Sequence, residues 1–401
     1  MPHTFRALRH RNFRLFFSGQ IISLIGTWMQ NVAQAWLVYR LTHSALLLGT
    51  AWFCGQIAVF ALGPLGGLAA DRFSRYRLVL LTQTLSMLQA FALAALTLSG
   101  RIEVWHVLAL AGALGSINAF DMPARQALVI HMASREDLLN AISLNSAVFN
   151  SARVIGPAIA GVLVAAVGEG TCFLLNGASF LAVIGCLLAM RLPPFERKAA
   201  ASPWRHILDG FQYAWHHGAV RRVLAVMAAA TLAGMPALVL MPFFADDIFH
   251  RGSRGLGFLL GAMGTGAVIG TLVLARRAKV SGLARVMVYS SATLGAAYAA
   301  FALSPWFYFS LAIMPLVGYS GMRQMASANT IIQSVIPDEY RGRIMALYAM
   351  TVVGLGPFGS LAAGALAGRF GARATVALGG VLAMAASTAF RLSLRRNPIA
   401  A

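Results

Sequence analysis

The sequence predicts an all-α membrane protein with twelve transmembrane helices in two pseudo-symmetric six-helix halves. Three observations carry that expectation. Of 401 residues, 59% are hydrophobic and only 11% charged, and the mean hydropathy is +0.72, well outside the composition of soluble domains. Uncharged runs long enough to cross a bilayer recur along the chain. Glycines also repeat at a fixed offset between its two parts. The net charge of +20 invites a nucleic-acid reading, but the lysines and arginines sit in short loops between apolar runs, so the expected partner is the lipid bilayer. Cys54, Cys172 and Cys186 lie inside apolar runs with no CxxC or ligand cluster, which makes them packing residues and predicts no metal or cofactor. No HExxH, GxSxG or His/Asp/Glu cluster is present, which excludes the common hydrolase chemistries.

About 20 apolar residues cross the hydrocarbon core. Leu15–Tyr39, 25 uncharged residues, is too long for a signal-peptide core and reads as the first retained span. Further uncharged runs follow at 44–70, 78–100, 104–120, 170–190, 223–245, 255–275 and 344–368. Leu138–Gly168 reads as one long helix carrying Arg153. Val286–Met322, with 37 uncharged residues, is too long for one span and is split at Ser304-Pro305. Ala374–Phe390 is short and is extended by its flanks. These stretches together make twelve helices.

Placing alternate loops on alternate sides puts 24 Lys/Arg on one face and six on the other, with Arg153 and Arg323 left inside helices. Basic residues favour the cytoplasmic side, so both termini are expected in the cytoplasm of a bacterial-type inner membrane. The long polar connection 192–220 reads as a cytoplasmic linker between an N-terminal half, 1–191, and a C-terminal half, 221–401. The stretches 156–168 and 359–371 superimpose at an offset of 203, pairing Gly156 with Gly359, Gly161 with Gly364 and Gly168 with Gly371. The same offset pairs Glu136 with Glu339, each in a cytoplasmic loop before a long helix. Agreement in position, topology and loop charge marks an internal repeat.

One turn stands out. Asp71 directly follows 27 uncharged residues, Ser44–Ala70, and is followed by Arg72, Arg75 and Arg77. This turn is either a topology marker with solvated ion pairs or a conformational latch. A glycine, an acid four residues on and spaced basics (Gly67, Asp71, Arg72, Arg75, Arg77) resemble the loop signature of the major facilitator superfamily, with Ser74 where glycine is usual. The related turn in the second half, residues 270–282, keeps the basics without an acid. The stretches 23–45, 120–128, 150–161 and 337–348 resemble more narrowly the drug- and siderophore-exporting branch, which is enterobactin-exporter-like and macrolide-efflux-like. Gly156, Pro157 and Gly161 partly match that superfamily's antiporter signature, a hinge in the fifth helix, while the fourth-helix arginine of drug antiporters is absent. The resemblance implies a gate in which Arg75 bridges Asp121 at the end of the fourth span. It also implies that Asp71 reaches the start of the eleventh helix near Arg341 and Arg343.

Three groups of residues inside the spans complete the candidates. Arg153 and Arg323 carry charge where it is costly; they line a cavity for anionic or carbonyl-rich substrates, or they bond backbone carbonyls as structural arginines. Gln30 and Gln34 share one face of the first helix beside Asn31, and Asn145 and Asn150 add amides to the fifth. These amides hydrogen-bond substrate or hold helices together. No acid falls at a span's midplane, which argues for neutral or anionic amphipathic cargo over simple cations. Asp121, Asp246 and Asp247 are the proton-carrier candidates. The expected activity is secondary export of a small-molecule substrate by a monomer through alternating access, with protons as the coupling ion that the resemblance implies. A small-metabolite importer and a lysolipid transporter are the alternatives on the same fold.

Overall fold

The structure is a computed structural model that describes residues 3–130, 132–134, 136–191, 212–276 and 281–399. Residues 192–211 of the expected linker, 277–280 of the second-half turn and Arg135 fall outside that range. Among the described residues every regular element is helical. A short 3-10 segment, His3–Arg9, precedes α1 (Arg11–Thr42), α2 (Ala45–Arg72), α3 (Arg75–Leu98), α4 (Val104–Val129) and α5 (Leu138–Leu188). After the linker come α6 (Gly218–Val239), a π-helical turn at Phe244–Ile248, α7 (Gly252–Ala275), α8 (Leu283–Leu303) and α9 (Phe307–Val335). Then follow α10 (Asp338–Ala349), a second π-helical turn at Met350–Gly354 and α11 (Gly356–Arg396).

Eight stretches of the described chain are long and apolar enough to cross a membrane: α2 to α8 and the run Glu339–Arg396. Two of them, α5 with 51 residues and the last run with 58, are more than twice the length that a ~30 Å hydrocarbon core requires. Each is broken by one non-helical glycine. Gly168 has φ 80° and ψ 170°, and Gly371 has φ 81° and ψ 163°, a region essentially closed to other residues. A Cβ at either glycine would meet nothing within 4 Å, so the backbone conformation, not packing, demands glycine. These two breaks stand at the 203-residue offset of the sequence repeat.

The uncharged run that marks the fourth span ends at Phe120, but α4 continues to Val129. Asp121 therefore lies inside the helix and does not end it. The reason is local: Asp121 and Arg125 stand at i and i+4 and form an ion pair, so the helix carries both charges on as a neutral pair.

Contacts divide the chain into two compact units, one of Met1–Thr42 with Cys54–Ala201 and one of His43–Phe53 with Ser202–Ala401. In the first, α1 lies along α5, and α3 packs on α5 and α4. Phe13, Phe16, Val79, Leu128 and Leu187 form its main core. In the second, α7 lies along α9, α8 packs on α9 and α11, and α6 packs on α11. Its core gathers Val223, Met287, Ile331, Ile344 and Phe390. Large apolar side chains on the outside, such as Leu81 and Leu88 of α3, each 55% exposed, face where lipid would lie. Lipid supplies no hydrophobic drive between helices, so close approach depends on small residues. At the α7–α9 crossing a Cβ on Gly318 would overlap the Met263 carbonyl, and one on Gly266 the Pro315 carbonyl.

Candidate functional site

The expected gate is a tight turn. Asp71 and Arg72 end α2, and Ser74 caps α3, its side chain accepting from the Arg77 amide at 3.5 Å. Serine at the position where the superfamily signature has glycine therefore has a local role, satisfying an open amide at the helix start. Arg75 Nε donates to the Ala70 carbonyl at 3.3 Å. Asp71, Arg72 and Arg77 are exposed.

Asp121 is 1% exposed. Thr82 Oγ1 donates to its Oδ1 at 2.8 Å, Gln83 Nε2 donates to the same oxygen at 2.9 Å, and Arg125 pairs with Oδ2. Arg125 also donates to Gln20 Oε1 at 3.0 Å. This buried ion pair is thus held by α1, α3 and α4 together. Nothing in the sequence singles out Thr82, Gln83 or Gln20; for Arg125 the available signal is an acid and a base at i and i+4 next to an apolar run.

Two more acids draw basic partners, of which Arg6, Arg9 and Arg40 count from sequence as topology charges. The Asp137 carboxylate, before α5, receives Arg6 Nε at 2.7 Å, Arg9 Nη2 at 2.7 Å and His10 Nε2 at 2.8 Å. The His10 hydrogen bond is the leading reason that its pKa sits below the usual carboxylate value, with Arg6 and Arg9 adding to it against burial. Asn140 Oδ1 accepts from the Ala7 amide at 2.9 Å, so the N-terminal segment is tied to the start of α5. At the Gly168 break, Arg40 forms a two-pronged pair with Glu169, at 2.7 and 3.2 Å.

The amides of α1 divide. Gln30, 1% exposed, donates to Gln89 Oε1 at 3.1 Å and accepts from Asn176 Nδ2 at 2.7 Å. Of its two readings it takes the interhelical one, a correction to its place in the cavity: both ends of its amide are occupied by helix neighbours. Asn31 is exposed, and Gln34 and Asn145 are half-buried. Asn150 donates to the Ser146 carbonyl of its own helix at 2.8 Å. Between α1 and α5, the Arg153 guanidinium lies 5.8 Å from the Trp28 ring, and Phe149 meets the same ring edge-on at 5.9 Å. Gly156 makes this approach possible, because a Cβ there would come within 2.5 Å of the Trp28 Cβ. α5 passes through Pro157 and Gly161 without non-helical backbone, and its break comes at Gly168.

In the second unit, Arg323 donates from Nη1 to the Tyr319 hydroxyl at 2.7 Å, and its charge lies 5.0 Å from that ring. Around it, α9 holds buried polar atoms with no hydrogen-bond partner among the described residues: Arg323 Nε, both ends of the Gln324 amide, Ser320 Oγ and Ser327 Oγ. Spacings of three, four and seven residues put these four side chains on one face of α9. The sequence reading found Arg323 and missed its neighbours. Arg343 lies 5.5 Å from the Tyr340 ring in α10, and Arg341 is exposed. Asp246 and Asp247 lie in the Phe244–Ile248 turn. The start of α2, grouped with this unit, rests on α11: Ser360 Oγ donates to the Gly49 carbonyl at 3.2 Å, and Phe53 meets Phe358 edge-on at 6.2 Å. No group of three or more metal-ligating side chains occurs among the described residues.

These features agree with what the chain is similar to. The family model for transmembrane secretion effectors matches residues 3–399. The chain belongs to that family. This transmembrane secretion effector is therefore a multi-pass transporter of major facilitator type and not an enzyme. It is 27% identical over 376 residues to the staphyloferrin A transporter of Staphylococcus aureus, covering 92% of each chain. Over 365 residues it is 27% identical to the multidrug efflux pump Tap of Mycolicibacterium fortuitum, covering 87% of this chain and 88% of that one. A crystal structure of the nucleoside transporter NupG matches its fold with a TM-score of 0.74 at 14% identity, over 97% of this chain and 99% of that one.

Proposed function

We propose that this transporter exports neutral or anionic amphipathic small molecules, of the drug or siderophore class, across the bacterial inner membrane by proton-coupled antiport with alternating access. The observation that carries the substrate class is the charge placed inside its helices. Arg153 stands against Trp28, and Arg323 stands beside Gln324 on α9, while the buried acids Asp121 and Glu169 are already paired with Arg125 and Arg40. A guanidinium beside unspent amide and hydroxyl atoms, as at Arg323, suits carboxylate- or carbonyl-rich cargo. The relative named for staphyloferrin A transport supports siderophore-class cargo, and the one named for multidrug efflux supports the outward direction.

Twelve spans in two six-helix halves, 1–191 and 221–401 joined by a cytoplasmic linker, fit the helices. The eight long apolar stretches become ten when two are divided at Gly168 and Gly371, and α1 and α9, of 32 and 29 residues, supply the remaining two. Both termini then lie in the cytoplasm. Alternating access also gives a reason for the unpartnered groups of α9, since a face buried in one state is wetted in the other. The Asp71 turn is a latch that meets the start of the eleventh span near Arg341 and Arg343 and holds the outward-open state.

Uptake into everted vesicles of an anionic siderophore-type substrate tests the coupling. Accumulation should follow an imposed proton gradient and stop when the gradient is collapsed; accumulation that persists after complete collapse refutes antiport. Asp71→Asn should impair transport with normal membrane insertion, and normal transport by that variant removes the latch.

A further inference from the structure

A cavity at one end of the second unit, away from Arg323, is built from cations on an aromatic wall. It has a volume of about 540 Å³ and lies between the start of α7 and the first turns of α9. Its lining includes His250, Arg251, Arg254, Phe258, Phe307 and Tyr308. The chain turns sharply into it, with φ 51° at His250 and 57° at Gly252, and the Arg251 amide donates to the Ala245 carbonyl at 2.8 Å. That turn sets both arginines at the mouth. The Arg251 guanidinium lies 5.6 Å from the Phe307 ring and 5.5 Å from the Tyr308 ring, contacts that orient a cation while leaving its N–H groups available. Among the described residues, no ion pair or hydrogen bond reaches the side chain of Arg251 or Arg254. The nearest acids in sequence, Asp246 and Asp247, have contacts of their own.

The surroundings are apolar in the way that lipid requires. Trp306 and Tyr308 are each 71% exposed, and exposed aromatic rings at the ends of spanning helices mark the membrane interface. Phe258 stands at the rim and heads an exposed stripe along α7 through Ile269 and Leu272, at spacings of 11 and 14 residues that keep to one helix face. A soluble anion would use the two guanidinium groups and leave this wall idle. An acyl chain would lie along it.

We propose that this cavity binds an anionic phospholipid, with the headgroup phosphate on Arg251 and Arg254 and an acyl chain along the Phe258 stripe. A phosphodiester accepts paired N–H bonds from arginine, and basic residues at a bilayer surface draw anionic lipids in preference to neutral ones. Along α9 the site stands at the first turns and Arg323 past the midpoint, so it concerns the protein's lipid environment and not its cargo.

The test is native mass spectrometry of the purified full chain, titrated with phosphatidylglycerol and with phosphatidylcholine carrying the same acyl chains. The expected result is at least tenfold tighter binding of phosphatidylglycerol. The preference should disappear in the Arg251→Gln/Arg254→Gln double variant, with phosphatidylcholine binding unchanged. If that pair does not fold, Arg254→Gln alone carries the test, because its side chain has no polar contact to lose; a reduced preference is expected. Equal binding of the two lipids to the parent protein, or an undiminished preference in the folded variant, overturns the proposal. Glycerophosphoglycerol, the headgroup without its chains, should fail to displace the lipid at a tenfold excess. Displacement at equal concentration makes this a soluble-anion site and overturns the lipid assignment.

Discussion

In the first unit, Asp121 meets Thr82, Gln83 and Arg125, while Gln30 meets Gln89 and Asn176. On α9 in the second unit, Ser320, Arg323, Gln324 and Ser327 keep buried atoms without a partner among the described residues. Leaving one buried polar group unsatisfied costs about 1–3 kcal/mol, and in hydrocarbon no solvent offsets it. The first unit is wired as a scaffold, its polar atoms mostly consumed by one another, although Gln20 Nε2 and Gln83 Oε1 are left over. The α9 face keeps hydrogen-bonding groups without a partner among the described residues, and the proposed function gives them cargo or water to meet.

The sharpest way to break the comparison is to cut the scaffold at its deepest pair. Arg125→Ala leaves the Asp121 carboxylate buried and uncompensated, a loss of about 3–5 kcal/mol. It should appear as a large drop in thermal midpoint in detergent, and adding Asp121→Asn should restore much of it. An unchanged midpoint would mean that the pair is not structural. Gln30→Met strands Gln89 and Asn176 and should cost about 1–3 kcal/mol, while transport per folded molecule is kept.

Asp137 tests the scaffold through pH. Its pKa is lower in the folded protein than its unfolded value, chiefly through the His10 hydrogen bond. The stability that it contributes is therefore fully present above the ordinary aspartate value of about 4 and is lost as pH falls through the lowered one. Asp137→Asn should melt below the parent at pH 7, and the two melting curves should converge under acid conditions below pH ~4. A gap that stays constant with pH contradicts this. Gln324→Met should cost no stability, since it removes no described hydrogen bond, and relief of the two unpartnered amide ends should raise stability by about 1–3 kcal/mol. Transport should nevertheless fall severalfold. A stability loss as large as that of Gln30→Met would erase the distinction between the two regions.

Much of the fold was legible because lipid imposes it. Apolar run length, basic loops and the Gly168/Gly371 pairing are all visible in one dimension, and the structure gives those two glycines the same backbone. Run length marks a boundary at Asp121, whereas the helix continues to Val129 and Asp121 is half of an ion pair with Arg125. The Gln30 network was illegible because its partners lie 59 and 146 residues away. Arg6, Arg9 and Arg40 looked like topology charges for the same reason, since their acids stand about 130 residues off, a separation at which spacing carries no signal. Ser74 departs from the signature glycine, and its role as a cap could be read from its position directly before a helix.

The most direct test of the central claim is charge selectivity, measured in everted vesicles under one imposed proton gradient. An anionic siderophore-type ligand and a lipophilic cation of similar size would be supplied separately and in competition. The account predicts that the anionic ligand accumulates and the cation neither accumulates nor competes. Accumulation of the cation with exclusion of the anion would contradict it.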